Sequence, residues 1–584
     1  MTVDRAYLGV EASLTGRRWV GPGADQERLS EAMEQVTALP QPVCRTLVRQ
    51  GVSPEEAERY LAPSLRDLLP DPLSLRDMGP AVERFLTALR NHEKIAVFAD
   101  YDVDGGSSAA LILNWLREMG HSATLYVPDR IEEGYGPNDE AMAALAADHK
   151  LIICVDCGTL SHGPIAAAEG ADVIVLDHHL GAETQPPALA VVNPNRQDED
   201  GALGHLCAAG VVFLFLVEAN RQLRAKSMTG PDLMTYLDLV ALATVADVAP
   251  LRGVNRAFVR QGLKIMAMRQ RPGLVALSDI SRLDTAPLPY HLGFVLGPRV
   301  NAGGRIGKAD LGARLLSTSD PAEAASIAEK LDQLNTERRE IEASVRDAAI
   351  AQAESRGLDA PLIWAAGEGW HPGVVGIVAS RLKEMTNRPA IVIGLKGSEG
   401  QGSGRSVNGI DLGVAIQRLA SENLLIKGGG HRMAAGLTVA KDMLEPAMAR
   451  LTDLLSRQGA SSLGPKDLRL DGVLMPQAAT VDLIEQIDAA GPFGAGAPAP
   501  RFVFPDQTIR FAKRIGASHL KISFSDGMGS TVEAICFGAF DSNLGSALDE
   551  HGGKRFHLAG QLELNVWGGR KRVQLRLQDA AEAS

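Results

Sequence analysis

The sequence predicts an α/β protein in which two α/β lobes are joined by a long helix and followed by a small β-barrel. Short apolar runs alternate with helical patterns between residues 91 and 250, which indicates buried parallel strands linked by helices. A charged, alanine-rich stretch over 319–357 has no glycine or proline after Pro321 until Gly357, and it predicts the long helix. Beyond residue 465, short strand patterns separated by glycine-rich turns predict the barrel.

Prolines are frequent in the N-terminal region, and apolar runs mark the first lobe. Residues 1–90 carry short helical patterns interrupted by prolines, and they predict an N-terminal helical segment. Residues 91–318 form the predicted first lobe, and the apolar runs 95–99, 151–155 and 173–176 are expected to be three of its strands.

The remaining regions follow the predicted helix 319–357. Residues 358–460 predict a second α/β lobe with glycine-rich segments at 402–406 and 428–431, which either cradle a phosphate through backbone N–H groups or form plain turns. Residues 465–580 combine strand patterns with clustered basic side chains, as in a barrel of the oligonucleotide-binding type. The alternative for those basic residues is a solvated hairpin surface.

Acidic side chains directly follow three predicted strands of the first lobe. Residues 100–104 are Asp-Tyr-Asp-Val-Asp, 156–158 are Asp-Cys-Gly, and 177–179 are Asp-His-His. The carboxyl ends of strands form the ligand-binding edge of an open α/β sheet, so we expect these groups to meet there. Gathered carboxylates are costly to desolvate unless cations compensate their charge. A carboxylate-rich set with one or two histidines favours a pair of Mn²⁺ or Mg²⁺ ions over zinc.

Composition excludes several classes of protein. The chain has 584 residues, and no apolar stretch approaches the roughly 20 residues of a membrane span. Its five cysteines do not make a disulfide framework, and Cys154 lies inside an apolar run where a thiol acts as a small hydrophobe. Without a basic-then-apolar leader, we expect a soluble cytoplasmic protein. The net charge of −12 does not exclude a nucleic-acid ligand, because global charge does not describe a local groove.

The order of the motifs resembles a known superfamily. Residues 100–105, 155–158, 177–179 and 243–247 match, in order, the four motifs of the DHH phosphoesterase superfamily. Later segments resemble the RecJ family of single-strand-DNA exonucleases, and these are 297–305, 371–381, 428–431 and 492–494. The likeness covers nearly the whole chain. Val103 and Ser107 lie where the family more often has an alanine and a nearby threonine, and neither difference changes a carboxylate.

The resemblance implies roles for individual residues. It implies that two Mn²⁺ or Mg²⁺ ions are held by Asp102, Asp104, Asp156, His178 and Asp247. Asp156 would bridge the ions, His179 would face the scissile phosphate, and Asp100 would support the cluster. The nucleic-acid contacts would be made by Arg130, Arg299, Asn301, Arg305, Ser403, Arg405 and His431. The arginines at 130, 299 and 405 lie in segments that resemble the family's end-binding loops, with surface ion pairs as the alternative.

The activity implied by the resemblance is metal-dependent hydrolysis of single-stranded DNA from its 5′ end, in DNA repair and recombination. The implied fold is a DHH catalytic lobe, a DHH-associated lobe and a nucleic-acid-binding barrel. We expect a monomer whose partners are single-stranded DNA, a single-strand-binding protein and a helicase, with no membrane. Two alternatives remain at this point: a small-molecule phosphohydrolase of the same superfamily, such as a pyrophosphatase or dinucleotide phosphodiesterase, and a strand-binding protein with an inactive site.

Overall fold

The structure is a computed structural model that describes residues 6–130, 133–464, 466–567 and 570–583. The chain forms two compact units, one comprising Met1–Ser64 with Gly464–Ser584 and the other comprising Leu65–Leu463. The predicted N-terminal segment 1–90 is therefore divided between the two units. In the first unit, its elements are β1 (Trp19–Val20), α1 (Ala24–Thr37), α2 (Gln41–Arg49) and α3 (Ala57–Leu61).

The first lobe of the second unit is built on a five-stranded parallel sheet. Its strands are β2 (Ile95–Ala99), β3 (Thr124–Tyr126), β4 (Leu151–Val155), β5 (Asp172–Leu176) and β6 (Ala190–Val192). They are arranged in the order β3-β2-β4-β5-β6. Every residue of β2 and β4 is buried, as is typical of parallel strands covered on both faces. The strand order reverses between β2 and β4, and such switch points are where open α/β sheets bind ligands.

Helices surround this sheet and extend the lobe. They are α4 (Leu65–Leu68), α5 (Met78–Arg90), α6 (Val103–Glu118), α7 (Asp139–Asp148), α8 (His162–Ala166), α9 (Ala208–Ala225), α10 (Leu237–Ala246), α11 (Gly253–Ala267), α12 (Pro272–Ile280), α13 (Pro289–His291), α14 (Gly297–Ile306) and α15 (Leu311–Ser317). Between α13 and α14, the residues Leu292–Leu296 are wound as a π-helix. In the described part of the chain, no helix is both long and apolar enough to cross a membrane.

The predicted long helix is confirmed as α16 (Pro321–Arg356). It begins where Asp320 Oδ1 accepts the backbone N–H of Ala322 at 2.8 Å, and Pro321 occupies the first helical position, where no N–H is needed. It ends at Gly357, whose φ of +97° suits glycine. Capping residues at both ends thus set the limits that the sequence pattern indicates.

The second lobe follows α16 and contains a mixed sheet. Its elements are β7 (Ile363–Glu368), α17 (Pro372–Thr386), β8 (Ala390–Lys396), β9 (Glu399–Arg405), α18 (Leu412–Ser421), β10 (Lys427–His431), β11 (Ala434–Ala440) and α19 (Leu444–Arg457). The sheet order is β10-β11-β9-β8-β7, and only β7 and β8 pair in parallel. The glycine-rich segments of the sequence lie on β9 and β10.

The C-terminal part of the first unit is a closed barrel, as predicted. Its elements are β12 (Leu468–Arg469), β13 (Gly472–Val473), α20 (Val481–Ala489), β14 (Phe502–Ile515), β15 (His519–Ser525), β16 (Val532–Cys536), α21 (Asn543–Asp549), β17 (Arg555–Trp567) and β18 (Arg570–Glu582). The ring β14-β15-β16-β18-β17 closes through the pairing of β14 with β17.

The N-terminal residues of this unit complete the fold of the barrel. Strand β1 pairs in parallel with β12. The indole N–H of Trp19 donates to Asp579 Oδ2 at 2.9 Å, and both side chains are buried. Met33 and Leu47 pack in the same core cluster as Phe504 of the barrel. Residues 6–64 thus contribute to the barrel core.

Candidate metal centre

The acidic segments lie together at one edge of the first-lobe sheet because the last residues of the strands that carry them pair with one another. Ala99 pairs with Val155, and Val155 pairs with Leu176. The residues that follow these positions are Asp100, Asp156 and Asp177. Their side chains therefore start from neighbouring points beside the switch between β2 and β4.

Asp102 and Asp104 are held at the start of α6. Asp102 is the N-cap, and its Oδ1 accepts the backbone N–H groups of Asp104 and Gly105 at 2.8 and 3.1 Å. The carboxylate of Asp104 accepts the first two N–H groups of α9 at 2.7 and 2.8 Å. A Cβ at position 105 would lie 2.4 Å from the carbonyl oxygen of Asp100, so glycine is required for this close approach. Two helix N-termini thus orient the two carboxylates.

His178 brings carboxylates from three segments together. Its Nε2 lies 3.3 Å from Asp156 Oδ1, 3.7 Å from Asp104 Oδ2 and 3.8 Å from Asp247 Oδ2. Asp247 is the C-cap of α10, and the α10 helix is buried over most of its length. Asp156 has a φ of +60°, a left-handed conformation that is unfavourable for a residue other than glycine. Strain of this kind clusters at functional sites.

His179 is oriented by Asp177. Its Nδ1–H donates to Asp177 Oδ1 at 2.8 Å, while Asp177 Oδ2 accepts the Thr159 hydroxyl at 2.6 Å. The Tyr135 hydroxyl lies 3.1 Å from His179 Nε2 and donates to the carbonyl oxygen of Asp156 at 3.2 Å. Burial alone would lower the pKa of His179, but the hydrogen bond and charge of Asp177 raise that pKa to about 9. The imidazole is thus held in one orientation and favours its protonated form.

Two asparagines that the sequence analysis missed hold the backbone of the histidine pair. Asn193 Nδ2 donates to the carbonyl oxygen of His179 at 2.7 Å, and Asn195 Nδ2 donates to that of His178 at 2.6 Å. Both follow β6, the strand next to β5. Because polar groups after a strand end were the signal for the acidic segments, the same criterion applied to the short run Ala190–Val192 would have found them. Tyr135 and Thr159 carry no comparable signal.

The carboxyl groups are held in an environment that opposes their ionisation. Burial, reinforced by neighbouring carboxylates, raises the pKa values of Asp100 and Asp156 well above the usual carboxyl range. Burial also raises the pKa of Asp104, although His178 opposes this effect. Burial followed by the charge of Asp104 raises the pKa of Asp247 to about 8. Cations at the cluster would relieve this repulsion.

The donor set fits divalent cations. The Oδ1 atoms of Asp100 and Asp156 are buried and accept no hydrogen bond in the described part of the chain. Three groups have ligand atoms within 4.8 Å of one another, namely Asp156-His178-His179, Asp104-His178-Asp247 and Asp100-Asp102-Asp156. Carboxylate oxygens with one or two imidazoles suit Mn²⁺ or Mg²⁺. All the predicted metal-binding side chains therefore lie in one cluster that can hold such ions.

A cavity of about 540 Å³ lies between the two lobes of the second unit. Arg130 and Tyr135 of the first lobe line it, opposite the start of α17 and the glycine-rich strands β9 and β10. Ser403 is among the lining residues, and its Oγ accepts a hydrogen bond from Arg405 Nη1 at 2.9 Å. Tyr135 also contacts His179, so it connects the cavity lining to the acidic cluster.

Arg130 lies close enough to two other predicted nucleic-acid-binding arginines to influence their pKa values. Burial and then the charge of Arg130 lower the pKa values of Arg305 and Arg405. Arg305 Nη1 donates to the carbonyl oxygen of Gly373, in the first turn of α17, at 3.1 Å. Within the described residues, none of the three forms an ion pair with a carboxylate. Such a group of guanidinium groups favours an anionic ligand.

The other predicted nucleic-acid contacts are in different environments. Arg299 forms an ion pair with Asp332 at 2.8 Å and donates to the carbonyl oxygen of Val295 at 2.7 Å, which corresponds to the ion-pair alternative. Asn301 Oδ1 accepts the backbone N–H of Val103 at 3.1 Å, at the start of α6. His431 is exposed at the end of β10. Asn301 thus has a structural contact beside the acidic cluster.

Known proteins resemble this chain over nearly its whole length. It is 37% identical over 578 residues to the single-stranded-DNA-specific exonuclease RecJ of Dickeya dadantii, covering 95% of this chain and 98% of that protein. It is 35% identical to RecJ of Escherichia coli, covering 94% of this chain and 97% of that protein. The chain belongs to the RecJ family.

Family models and solved RecJ structures agree with this assignment. The chain matches the DHH family N-terminal domain at 94–244, the DHHA1 domain at 359–457 and the RecJ OB domain at 470–579. The crystal structure of RecJ from Thermus thermophilus in complex with Mn²⁺ matches with a TM-score of 0.80 and 28% identity, covering 97% of this chain and 80% of that one. A second exonuclease RecJ, bound to manganese, matches with a TM-score of 0.58 and 33% identity, covering 66% of this chain and 95% of that one.

Proposed function

We propose that this protein is a metal-dependent exonuclease that hydrolyses the phosphodiester bonds of single-stranded DNA from the 5′ end, in DNA repair and recombination. The observation that carries this proposal is the convergence of four sequence segments on one cluster, in which Asp100 and Asp156 each present a buried oxygen without a hydrogen-bond partner. The RecJ relatives, at 35–37% identity over nearly full length, are single-stranded-DNA-specific exonucleases.

We assign the cations to the predicted ligands. These are Asp102, Asp104, Asp156, His178 and Asp247, and Asp156 belongs to two of the three groups of ligand atoms. Two bound Mn²⁺ or Mg²⁺ ions would supply an activated water and neutralise the charge that develops on the phosphate. Asp100 is buried and belongs to the group Asp100-Asp102-Asp156, and we assign it the role of supporting the ligands.

The role that we assign to His179 follows from its hydrogen bonds. Asp177 accepts from Nδ1, and Nε2 lies 3.1 Å from the hydroxyl of Tyr135, a residue that lines the cavity. An imidazole that is protonated and held in place can donate a hydrogen bond to a phosphate oxygen. Asp177 therefore acts as a positioning residue, while Asn193 and Asn195 fix the backbone on which the imidazole is carried.

The cavity provides a site for the terminal phosphate of the strand. Its volume of about 540 Å³ is that of a small-ligand site, and it contains Arg130, Ser403 and the N-terminal turn of the 15-residue helix α17. Helix N-termini and arginines both favour phosphate. Because a terminal phosphate carries more charge than an internal one, this arrangement favours a chain end, and we assign it to the 5′ end.

The barrel provides surface features that suit a longer strand. Phe511 and Phe537 are about half exposed, and the guanidinium of Arg576 lies 5.6 Å from the ring centroid of Phe537. Arg510 and Lys513 on β14 form no ion pair with a described residue. Exposed aromatic rings with basic neighbours bind single strands through stacking and phosphate contacts. A small-molecule phosphohydrolase has no evident use for this surface.

The proposal extends to location and partners. We propose that the protein acts as a monomer in the cytoplasm, where a helicase supplies unwound ends and a single-strand-binding protein covers the strand. An enzyme restricted to single strands requires such a supply, since duplex DNA presents none.

A substrate comparison tests the proposed function. We expect Mn²⁺-dependent degradation of single strands, with duplexes and dinucleotides hydrolysed much more slowly. Loss of a residue that only supports metal ligands typically lowers activity by about 10- to 100-fold. Because Asp156 is a proposed ligand, Asp156→Ala should lower the rate by more than this, with strand binding largely retained. The exposed Asp148→Ala is the matched control and should leave the rate unchanged. Faster hydrolysis of dinucleotides than of strands would instead support the small-molecule alternative, and binding without hydrolysis would indicate an inactive site.

A further inference from the structure

Two exposed aromatic side chains are stacked on each other in the first lobe. Tyr290 is 52% exposed and Phe294 is 70% exposed, although aromatic residues make up only 4% of the chain. Their ring centroids lie 5.1 Å apart, with an angle of 23° between the ring planes. Single exposed apolar residues are common, but two parallel rings that both face solvent form a defined apolar surface.

The segment that carries these rings contacts the elements that carry the metal ligands. Gly293 and Gly297 pack closely against the last residues of α10, which directly precede Asp247. A Cβ on Gly293 would lie 3.4 Å from Val245 Cγ1, and one on Gly297 would lie 3.2 Å from Ala246 Cβ. One turn further on, Asn301 accepts the backbone N–H of Val103, between Asp102 and Asp104. The stacked rings therefore lie on a segment that is packed against both the Asp247 and the Asp104 sides of the cluster.

Two features of this region suit contact with a ligand rather than with the protein core. The residues Leu292–Leu296 form a π-helix, a geometry that is frequent at functional sites. Val248, directly after Asp247, is 69% exposed and has a φ of +60°. An apolar surface thus borders a strongly acidic cluster, and a ligand that contacts both must combine phosphate groups with flat apolar faces.

We propose that Tyr290 and Phe294 form a nucleobase-stacking platform that positions the strand over the acidic cluster. This inference rests on the proposed function and identifies the part of the substrate that the site recognises beyond its phosphates. Every base has an aromatic face, so the platform accepts all sequences. In duplex DNA these faces are already stacked within the helix, so the platform contributes to the preference for single strands.

The test couples removal of the rings to removal of the base. Single strands with one abasic site at successive positions from the 5′ end are compared with the intact strand, using the parent, Phe294→Ala and Tyr290→Ala proteins. We expect the abasic site at one or two positions to lower kcat/KM of the parent by about 5- to 150-fold, the range for loss of one stacked base. Phe294→Ala should lower kcat/KM for the intact strand by a similar factor and become insensitive to the abasic site. Phe294→Trp should restore both the rate and the sensitivity.

The controls separate this inference from a general loss of structure and from failure of the proposed function. Met268→Ala removes another side chain that is 58% exposed, at the C-terminal end of α11, and should change neither rate nor abasic sensitivity. The platform is refuted if Phe294→Ala lowers kcat/KM by the same factor on intact and abasic strands. It is also refuted if Phe294→Ala leaves kcat/KM unchanged on both. Loss of self-association in Phe294→Ala, with abasic sensitivity unchanged, would also refute it by assigning the rings to a second copy of the chain. If the parent protein hydrolyses no single strand, the proposed function fails instead.

Discussion

Replacement of Arg405 should abolish recognition of the terminal phosphate. In the structure, Nη1 of Arg405 donates to Ser403 Oγ and to the carbonyl oxygen of Gly404, at 2.9 and 2.8 Å. Nε and Nη2 donate no hydrogen bond in the described part of the chain, so one edge of the guanidinium is available for two bonds to phosphate oxygens. A hydrogen bond to a charged group contributes about 1.5–3 kcal/mol. Because the cavity is open to water, we take one such contribution as the net effect, which is about 10- to 150-fold in affinity.

The assay compares 5′-phosphorylated with 5′-hydroxyl single strands of the same sequence. We expect the parent to prefer the phosphorylated strand by about 10- to 150-fold in kcat/KM, and Arg405→Ala to lose this preference without losing the slower reaction of the hydroxyl strand. Arg405→Lys keeps the charge but not the planar fork, so it should recover only part of the preference. Arg346→Ala, which removes an exposed arginine paired with Asp347 on α16, is the matched control.

Two results would refute this reasoning. One is a parent protein that is indifferent to the 5′ group, and the other is an Arg405→Ala variant that keeps the parent's preference. Arg299→Ala provides a further comparison, since its guanidinium is already bound to Asp332. We expect it to lower activity on both strands by a similar factor, whereas loss of 5′ discrimination would assign end recognition to Arg299.

Two other predictions concern the cations and the barrel. Adding Mn²⁺ to the metal-free protein at pH 7 should release protons, since the raised pKa of Asp247, about 8, leaves that group about nine-tenths protonated. Calorimetry in buffers of different ionisation enthalpy should show this release, and Asp247→Asn should release about one proton fewer. The affinity for Mn²⁺ should rise with pH because the cation binds the deprotonated carboxylates. A Mn²⁺ affinity that does not change with pH would contradict the prediction. Removing 1–64 together with 464–584 should weaken binding of long strands and reduce the salt slope by about 0.7 per lost phosphate contact, while short oligonucleotides are still hydrolysed. Removing 464–584 alone should lower solubility because Met33 and Leu47 lose their core partners, and unchanged affinity for long strands after the double removal would assign the barrel another role.

Much of the fold could be predicted because its signals are local. The buried strands β2 and β4 are continuous apolar runs, and α16 is bounded by a capping aspartate, a proline and a glycine. The division of the predicted segment 1–90 could not be inferred in this way. The pairing of β1 with β12 joins residues more than 400 positions apart, and no local pattern specifies such a partner.

In the candidate site, the ligands could be predicted from local sequence, whereas the groups that hold them could not. Asp156 and the residues 177–179 were found from their place after strands, because parallel strands present their carboxyl ends at one edge. The groups that orient them are distant in sequence. Asp104 is held by N–H groups about 100 residues away at the start of α9, and Arg299 is bound by Asp332 on α16.

The sequence by itself determined the kinds of element, the order of the acidic motifs and the chemistry of the ligands, because strand and helix patterns and side-chain types depend on neighbouring residues. Only the tertiary structure decided that the three strands end at the same edge of the sheet, that Asn193 and Asn195 hold the histidine pair, and that Tyr290 and Phe294 stack on each other. It also decided that the segment carrying these rings packs against the end of α10. It also decided which arginines remain available to a phosphate and which are bound by carboxylates. These outcomes depend on strand register and on helix packing between segments that are distant in sequence. Both are set by many weak contacts across the whole core, so no short stretch of the chain specifies them.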